Sequence, residues 1–415
     1  MSASVSSAPP TTATLPTTAP TPSAGRSAAA TSPSASGAAL TVNGGRLLEE
    51  IAELATYGGR ADGGVDRVAG SPADLAARAW LATRITDSGL ESWTDEAGNV
   101  FGNTAAGTGP WLLCGSHTDT VPAGGQLDGA YGVLAALEVL RTLHDAGHPA
   151  ADLLRIVSFW DEEGALPTSG GGLVGSTALT RDTDHLSRLL GYLELHIEQG
   201  PRMIRSGHEV AVVTGIVGID RYAVTVRGEA NHAGTTPMTD RADAGRAAAR
   251  IAVRVWDIAR GIGTDAVANV GCVEVWPGAP NVIPGEARII VEFRAGSEVA
   301  LEAAGTQLVG IAGQLAASEG CAVQVEQLAR TPVTRFDRAL CGLLDRVCAR
   351  SGVPTTRLQS YAGHDAGPVS RVLPAAMLFV PSVDGISHSP REHTPDHMLV
   401  QGCQVLLDAV VEYHL

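Results

Sequence analysis

At 415 residues the chain is too long for one ordinary core, so two or three domains are expected. A formal charge of −15, with no basic tract to offset it, excludes a nucleic-acid polyanion as partner. The 44% hydrophobic content is that of ordinary globular protein, and no uninterrupted apolar stretch reaches the roughly 18 residues of a membrane span.

Residues 1–40 are almost wholly Ala, Ser, Thr and Pro. They cannot bury enough apolar surface to offset their ordering entropy, and a disordered tail is expected. They have neither the basic start nor the continuous apolar core of a secretory signal. The six cysteines form no CxxC pair, which fits reduced thiols and a cytoplasmic protein.

Leu47, Leu48, Ile51 and Leu54 predict an amphipathic helix to about residue 57. Leu75, Trp80, Leu81 and Ile85 predict a second over 71–88, closed by Gly89. After a short strand at 91–95 and a turn at Gly98-Asn99 comes WLLCGSHTDTVPAGGQLD, 111–128. This is an apolar strand that breaks at Gly115 and then presents His117, Asp119 and Asp128. Val133, Leu134, Leu137, Leu140 and Leu143 have helical spacing, which places Asp128 at a helix N-terminus. Three later stretches repeat the plan of strand followed by acids or histidines: LLRIVSFWDEEG (153–164), GYLELHIEQG (191–200) and AAMLFVPSVDGISH (375–388). Ligands of open α/β sheets gather beyond the carboxyl ends of the strands, so these four ends can converge on one crevice.

Between 215 and 331 the pattern changes to strand (221–227), helix (240–259), strand (266–276), strand (286–294), helix (297–319) and strand (322–329). That β-α-β-β-α-β order is ferredoxin-like, and it interrupts the strands that carry the polar residues. The fold expected is therefore α/β: a catalytic domain with a mixed sheet flanked by helices, in two parts (41–214 and 332–415), with an α+β unit inserted at 215–331. A last helix runs from 395 to about 411.

Two neighbouring divalent metals need a shared carboxylate, further His or carboxylate ligands, and an unshared carboxylate to take a proton from water. His117, Asp128, the pair Glu162-Glu163, His196 and His388 supply that inventory. Asp119 stands where it can accept the second N–H of His117. Of the two adjacent glutamates, one can ligate while the other acts as base. His232 follows a strand in a Gly-containing loop, from which an imidazole can reach out to an oxyanion. Gln199, three residues after His196, is a further candidate contact.

The segments GSHTDTVPAGGQLDG, DEEG, YLELHIEQGP, NHAGTTPM, PNVIPG, AGHDA and GISHSPREHT resemble, in order, the amidase, hydantoinase and carbamoylase branch of the metallopeptidase M20 family. That branch contains N-carbamoyl-L-amino-acid hydrolases, allantoate amidohydrolases and β-ureidopropionases. The resemblance implies two divalent ions per subunit (Zn, Mn, Co or Ni), a small ureido or carbamoyl substrate, and no nucleic-acid or membrane partner. It implies Asp128 as the bridging ligand, with a cis peptide after it. His117 and His196 would complete one metal's protein ligands, and Glu163 and His388 the other's. Glu162 would be the general base. A histidine at 196, where peptidase relatives usually carry a carboxylate, favours the carbamoyl-cleaving branch. His232 would reach the partner's site in a homodimer, the inserted unit serving as lid and dimerisation domain. Asn281 and Arg294 would hold the substrate's amide and carboxylate. His364-Asp365 has a supporting part, and His144, His148, His185, His208, His393 and His397 are surface or helix-end residues. The chain departs from its relatives at Gly164-Ala165-Leu166-Pro167 and the glycines 170–172, at Ala295-Gly296, and at Tyr361.

Overall fold

The computed structural model describes residues 40–166 and 170–415. Residues 1–39 of the expected disordered tail, and Pro167 in the loop after Gly164, lie outside the described residues. Along the chain the strands are β1 (Glu91–Thr94), β2 (Val100–Asn103), β3 (Trp111–His117), β4 (Leu154–Phe159), β5 (Leu189–Ile197), β6 (Val210–Ile216), β7 (Gly218–Arg227), β8 (Val267–Trp276), β9 (Glu286–Ala295), β10 (Ala322–Thr331), β11 (Thr334–Arg335), β12 (Thr355–Ser360) and β13 (Ala375–Val380).

The first sheet has the order β1-β2-β4-β3-β5-β13-β6-β11, with β12 beside β6. Its middle, β4-β3-β5-β13, is parallel throughout. Every residue of β3, β4 and β13 is buried, as strands covered on both faces require, and their sequences are accordingly near-continuous apolar runs. The helix Ala130–Asp145 packs on β3, β4 and β5, and the helix Asp396–His414 packs on that helix and on β13. Parallel pairing sets the carboxyl ends of the four strands on one edge, with His117 level with Phe159 and His196 level with Phe379. The convergence expected from the sequence is present.

The second sheet, β10-β7-β9-β8, is antiparallel. The helices Ala244–Ile262 and Glu298–Ser318 pack against it around a separate apolar core that includes Val224, Ile251, Ile289, Phe293 and Leu308. In β9 buried and half-buried residues alternate, as one covered face dictates. The first of these helices begins at Ala244 rather than at 240, because Met238–Asp240 forms a 3-10 turn and Asp243 then caps the helix by accepting the Arg246 N–H. Among the described residues no helix is long and apolar enough to cross a membrane.

Candidate metal centre

β3 ends on His117, whose ring is fixed from behind. Its Nδ1 lies 3.0 Å from the backbone carbonyl of Asp119 and 3.5 Å from that residue's Oδ1. The expected carboxylate partner is thus displaced by the carbonyl of the same residue, because the turn after the strand folds the backbone over the ring. The Asp119 carboxylate instead accepts the backbone N–H groups of Glu162 (3.3 Å) and Glu163 (3.2 Å), and so positions both glutamates beyond β4. His196 Nδ1 lies 2.9 Å from the Ile197 carbonyl. With each Nδ1–H given to a carbonyl, both Nε2 atoms are left as acceptors toward Asp128, that of His196 also accepting the Gly129 N–H at 3.2 Å, and this is the tautomer that ligation needs.

Asp128 is the shared member of the cluster. Its Oδ1 is 3.1 Å from His196 Nε2 and 3.9 Å from His117 Nε2, and its Oδ2 is 3.1 Å from His388 Nε2. Glu163 Oε2 lies 3.4 Å from His388 Nε2. Two groups able to hold a cation therefore meet at Asp128: His117, Asp128 and His196, and Asp128, Glu163 and His388, each with ligand atoms within 4.8 Å of one another. Glu162 belongs to neither, its Oε2 lying 3.6 Å from His117 Nε2. A third group, Glu194, His196 and His364, shares only His196 with them, and its His364 Nε2 is engaged by Ser360 Oγ at 2.7 Å.

The backbone at Asp128 is held by a residue the motif reading did not single out. Glu392 Oε1 accepts the N–H of Leu127 (2.9 Å) and of Asp128 (3.1 Å), while its Oε2 accepts the Ser387 hydroxyl. Its signal in the sequence is its place four residues after His388. Gly129 is required twice over: its φ is 65°, and a Cβ there would lie 2.3 Å from His117 Nε2. The peptides that are cis among the described residues precede Pro110 and Pro277, so the cis bond expected after Asp128 is absent, and left-handed Gly129 makes the reversal instead. Asp161, Gln199 and His388 also adopt left-handed conformations, with φ of 49°, 57° and 52°. Such strain, on the order of 1–3 kcal/mol per residue, persists only where the surroundings over-determine the backbone.

The electrostatics favour added positive charge. Burial alone would lower the His117 pKa, but Glu162 and Asp119 outweigh it and hold the imidazole well above its usual value. The hydrogen bond to Asp128 lifts His388 to about 9 against the effect of burial. Asp128, despite burial, is held well below the carboxylate range by His196 and His388. Burial and then Asp128 push Glu163 to about 7, and burial drives Glu162 well above its usual range against the pull of His117. The cavity is ≈ 190 Å³, and the buried Glu163 Oε1 and Gln199 Oε1 have no hydrogen-bond partner among the described residues. The donor set of imidazoles and carboxylates fits a divalent metal.

Of the remaining expected residues, Gln199 lines the cavity, but its amide donates to Asp128 Oδ2 at 2.8 Å and so steadies the shared carboxylate. Gly171 and Leu173 line it as well, which places the divergent loop at its border. His232 and Asn281 are exposed and sit together on the second sheet's side, where the Ala233 N–H donates to the Asn281 carbonyl and His232 bridges Val282; neither lines the cavity. Arg294 reaches the rim only: Nε is 2.9 Å from Glu292 Oε1, and Nη1 donates to the Tyr361 carbonyl at 2.7 Å. Tyr361 heads the loop Ala362-Gly363-His364, which does line the cavity. His364 is buried there, its ring 4.6 Å from that of His196. His144, His393 and His397 are exposed and His148, His185 and His208 half-buried.

A family model described as peptidase family M20/M25/M40 matches residues 113–412. The allantoate amidohydrolase of Bacillus subtilis is 32% identical over 87% of this chain and 96% of its own length. The N-carbamoyl-L-amino acid amidohydrolase of Geobacillus stearothermophilus is 32% identical over 89% of this chain and 98% of its own. A crystal structure of an amidase of the hydantoinase/carbamoylase family from Burkholderia multivorans superposes with a TM-score of 0.82 at 32% identity, covering 90% of this chain and 98% of that one.

Proposed function

The chain belongs to the peptidase M20/M25/M40 family, and from that membership we propose that it is a dinuclear-metal amidohydrolase that cleaves the carbamoyl C–N bond of N-carbamoyl-L-amino acids. The observation that carries the reading is the sharing of Asp128 between two three-residue groups, with the unshared Glu162 beside them. His117, Asp128 and His196 would hold one ion and Asp128, Glu163 and His388 the other. Two cations there would supply Lewis-acid polarisation of the carbamoyl oxygen and acidify the attacking water.

The chain's own groups supply the proton traffic. Glu162, whose desolvation raises its proton affinity, takes a proton from water and passes it to the leaving nitrogen. The amino acid departs, and the carbamate left behind yields ammonia and carbon dioxide. The donor for the developing oxyanion is His232: its Nδ1 accepts the N–H groups of Gly234 (3.0 Å) and Thr235 (3.2 Å), which leaves Nε2 as the donating atom. Arg294 anchors the substrate carboxylate and Asn281 its amide.

His232 does not line the cavity of its own chain, which supports its delivery to the partner's site in a homodimer with residues 215–331 as lid and dimerisation domain. β8 is an edge strand that exposes Val267, Val273, Val275 and Trp276, and Trp256 is exposed on the adjoining helix. An uncovered apolar edge of this kind is what a second copy would bury.

A second reading, allantoate amidohydrolase, is favoured by Asn231 directly before His232 and by the Bacillus subtilis relative. Metal-reconstituted enzyme tested side by side on N-carbamoyl-L-amino acids, allantoate, 3-ureidopropionate and a dipeptide separates the possibilities. The expected result is the highest kcat/KM on an N-carbamoyl-L-amino acid. Preference for allantoate moves the assignment to the second reading, and preference for the dipeptide overturns both.

A further inference from the structure

Positive charge gathers at one place against the sign of a chain that carries −15 overall. A second cavity, of ≈ 790 Å³, lies between the two sheets. Arg335 in β11, Arg338 at the start of the helix Arg338–Ser351 and Arg357 in β12 line it from the first sheet's side, and Asp265 and Gly296 from the second's.

The carboxylates nearest in sequence to these arginines, or packed against them, are already committed. Asp337 caps its helix by accepting the N–H groups of Ala339 and Leu340, both at 2.9 Å. Glu298 pairs with Arg330 and accepts the Val333 N–H. Asp345 makes a single long contact with Arg357, 3.4 Å. Arg335 and Arg338 form no ion pair among the described residues. Arg335 and Arg338, exposed and without an ion pair among the described residues, and Arg357, paired only with Asp345, therefore line a cavity whose one acidic lining residue is Asp265.

We propose that this cavity binds a small polyanion, a metabolite carrying phosphate or paired carboxylate groups. Planar guanidinium forks match both anions in a bidentate manner, and the volume suits a small metabolite. The position gives such a ligand a consequence. The chain crosses between the sheets at Val217, from β6 to β7, and at Pro332-Val333, from β10 to β11. Thr214 and Arg335, which flank these crossings, line the cavity, and Gln359 already spans the gap by donating to the Gly296 carbonyl at 3.3 Å. A ligand touching both sides favours one angle between the sheets, and with it one approach of Arg294 to the rim of the metal centre.

Calorimetric titration of the metal-loaded full chain with inorganic phosphate, and separately with succinate, at ionic strength fixed with sodium chloride, tests the site. Phosphate taken by the metal centre is common to every protein compared and forms the background. The double variant Arg335→Ala/Arg338→Ala is expected to weaken the additional binding by about tenfold or more, the loss of two charge-assisted contacts. Arg181→Ala/Arg371→Ala removes the same charge at exposed positions elsewhere and is expected to bind as the parent does. Variant-sensitive binding of phosphate alone identifies a phosphate-bearing ligand, and of both anions a simple dianion. Absence of binding above the background, equal binding by parent and Arg335→Ala/Arg338→Ala, or an equal loss in the Arg181/Arg371 control overturns the proposal.

Discussion

The two sheets carry their polar residues in opposite ways. In the first, β3, β4 and β13 are buried along their whole length, and charged groups collect beyond the carboxyl ends, where backbone N–H groups, carbonyls or further carboxylates hold each one. In the second, one face lies on two helices, β8 and most of β10 are open, and His232 and Asn281 stand in exposed loops. The difference is one of coupling. The candidate centre in the first sheet is a network in which removal of a shared member frees several buried charges, whereas the second sheet's residues can be cut singly without disturbing it.

The largest effect should come from the shared carboxylate. Asp128→Ala is expected to lose bound metal and turnover together, seen by elemental analysis beside an activity assay, because both candidate groups lose a member. Glu162→Gln divides the network differently: metal content should stay at the parent level while kcat falls by about 10²–10⁴. Metal lost in parallel would make Glu162 a ligand and leave the role of base unfilled.

His232→Ala tests the other sheet. Metal content should be untouched and kcat should drop by about 10², the usual effect of deleting one oxyanion donor. Mixed with Glu162→Gln under conditions of subunit exchange, it should regain activity, since a hybrid dimer has one site with an intact glutamate and an intact partner histidine. No regain on mixing would confine His232 to its own subunit and erase the contrast between a buried centre and a delivered residue.

The same contrast separates what was legible in the sequence from what was not. Near-continuous apolar runs that end in His117, Glu162, His196 and His388 signal buried parallel strands and their carboxyl ends, so both the central sheet and the cluster can be read ahead of any coordinates. The alternating and helical periods of 215–331 are equally plain. β12, TTRLQS, is polar and only partly buried and has no such signal, while β6 runs into β7 with Val217 alone between them. The helix Arg338–Ser351 does carry amphipathic spacing in Leu340, Leu343, Leu344 and Val347. What motif spacing cannot convey is which atom of a residue acts: Asp119 meets His117 with its carbonyl and the glutamates with its carboxylate, and Glu392 holds Asp128 through the backbone. Such contacts depend on turns whose dihedral angles no residue pattern specifies.

A milder probe of the network around Asp128 is pH, applied to chelated protein. Burial pushes Glu163 from 4.5 to about 7 and Asp365 from 3.8 to about 8, while Asp128 lifts His388 from 6.5 to about 9. Each folded value exceeds its unfolded one, so each group's contribution to stability is full below the unfolded pKa and is lost as pH rises through the folded one. Asp119 and Asp128, which are lowered, act in the other direction, and their contribution is lost only in acid below the ordinary aspartate range. The Tm of chelated protein should therefore fall between about pH 5 and pH 9. Metal loading should flatten the curve, because a cation displaces the protons it competes with. A flat curve in chelated protein would mean that these groups are not held as the structure has them.

The smallest effect sits where the two sheets meet, at Tyr361. Its ring lies against Arg202, 3.9 Å from the guanidinium, and its hydroxyl donates to the Asp265 carbonyl at 2.5 Å, while its own carbonyl accepts from Arg294. Tyr361→Phe keeps the ring and the backbone contact and deletes only the bond to the second sheet's side. The loss of one such hydrogen bond, on the order of 1 kcal/mol, corresponds to a change of a few-fold. If that bond helps to hold Arg294 at the rim, the change appears in KM for carboxylated substrates, with kcat and metal content at parent values. A change in kcat alone would place Tyr361 with the network around Asp128 and not with the second sheet's side that it touches.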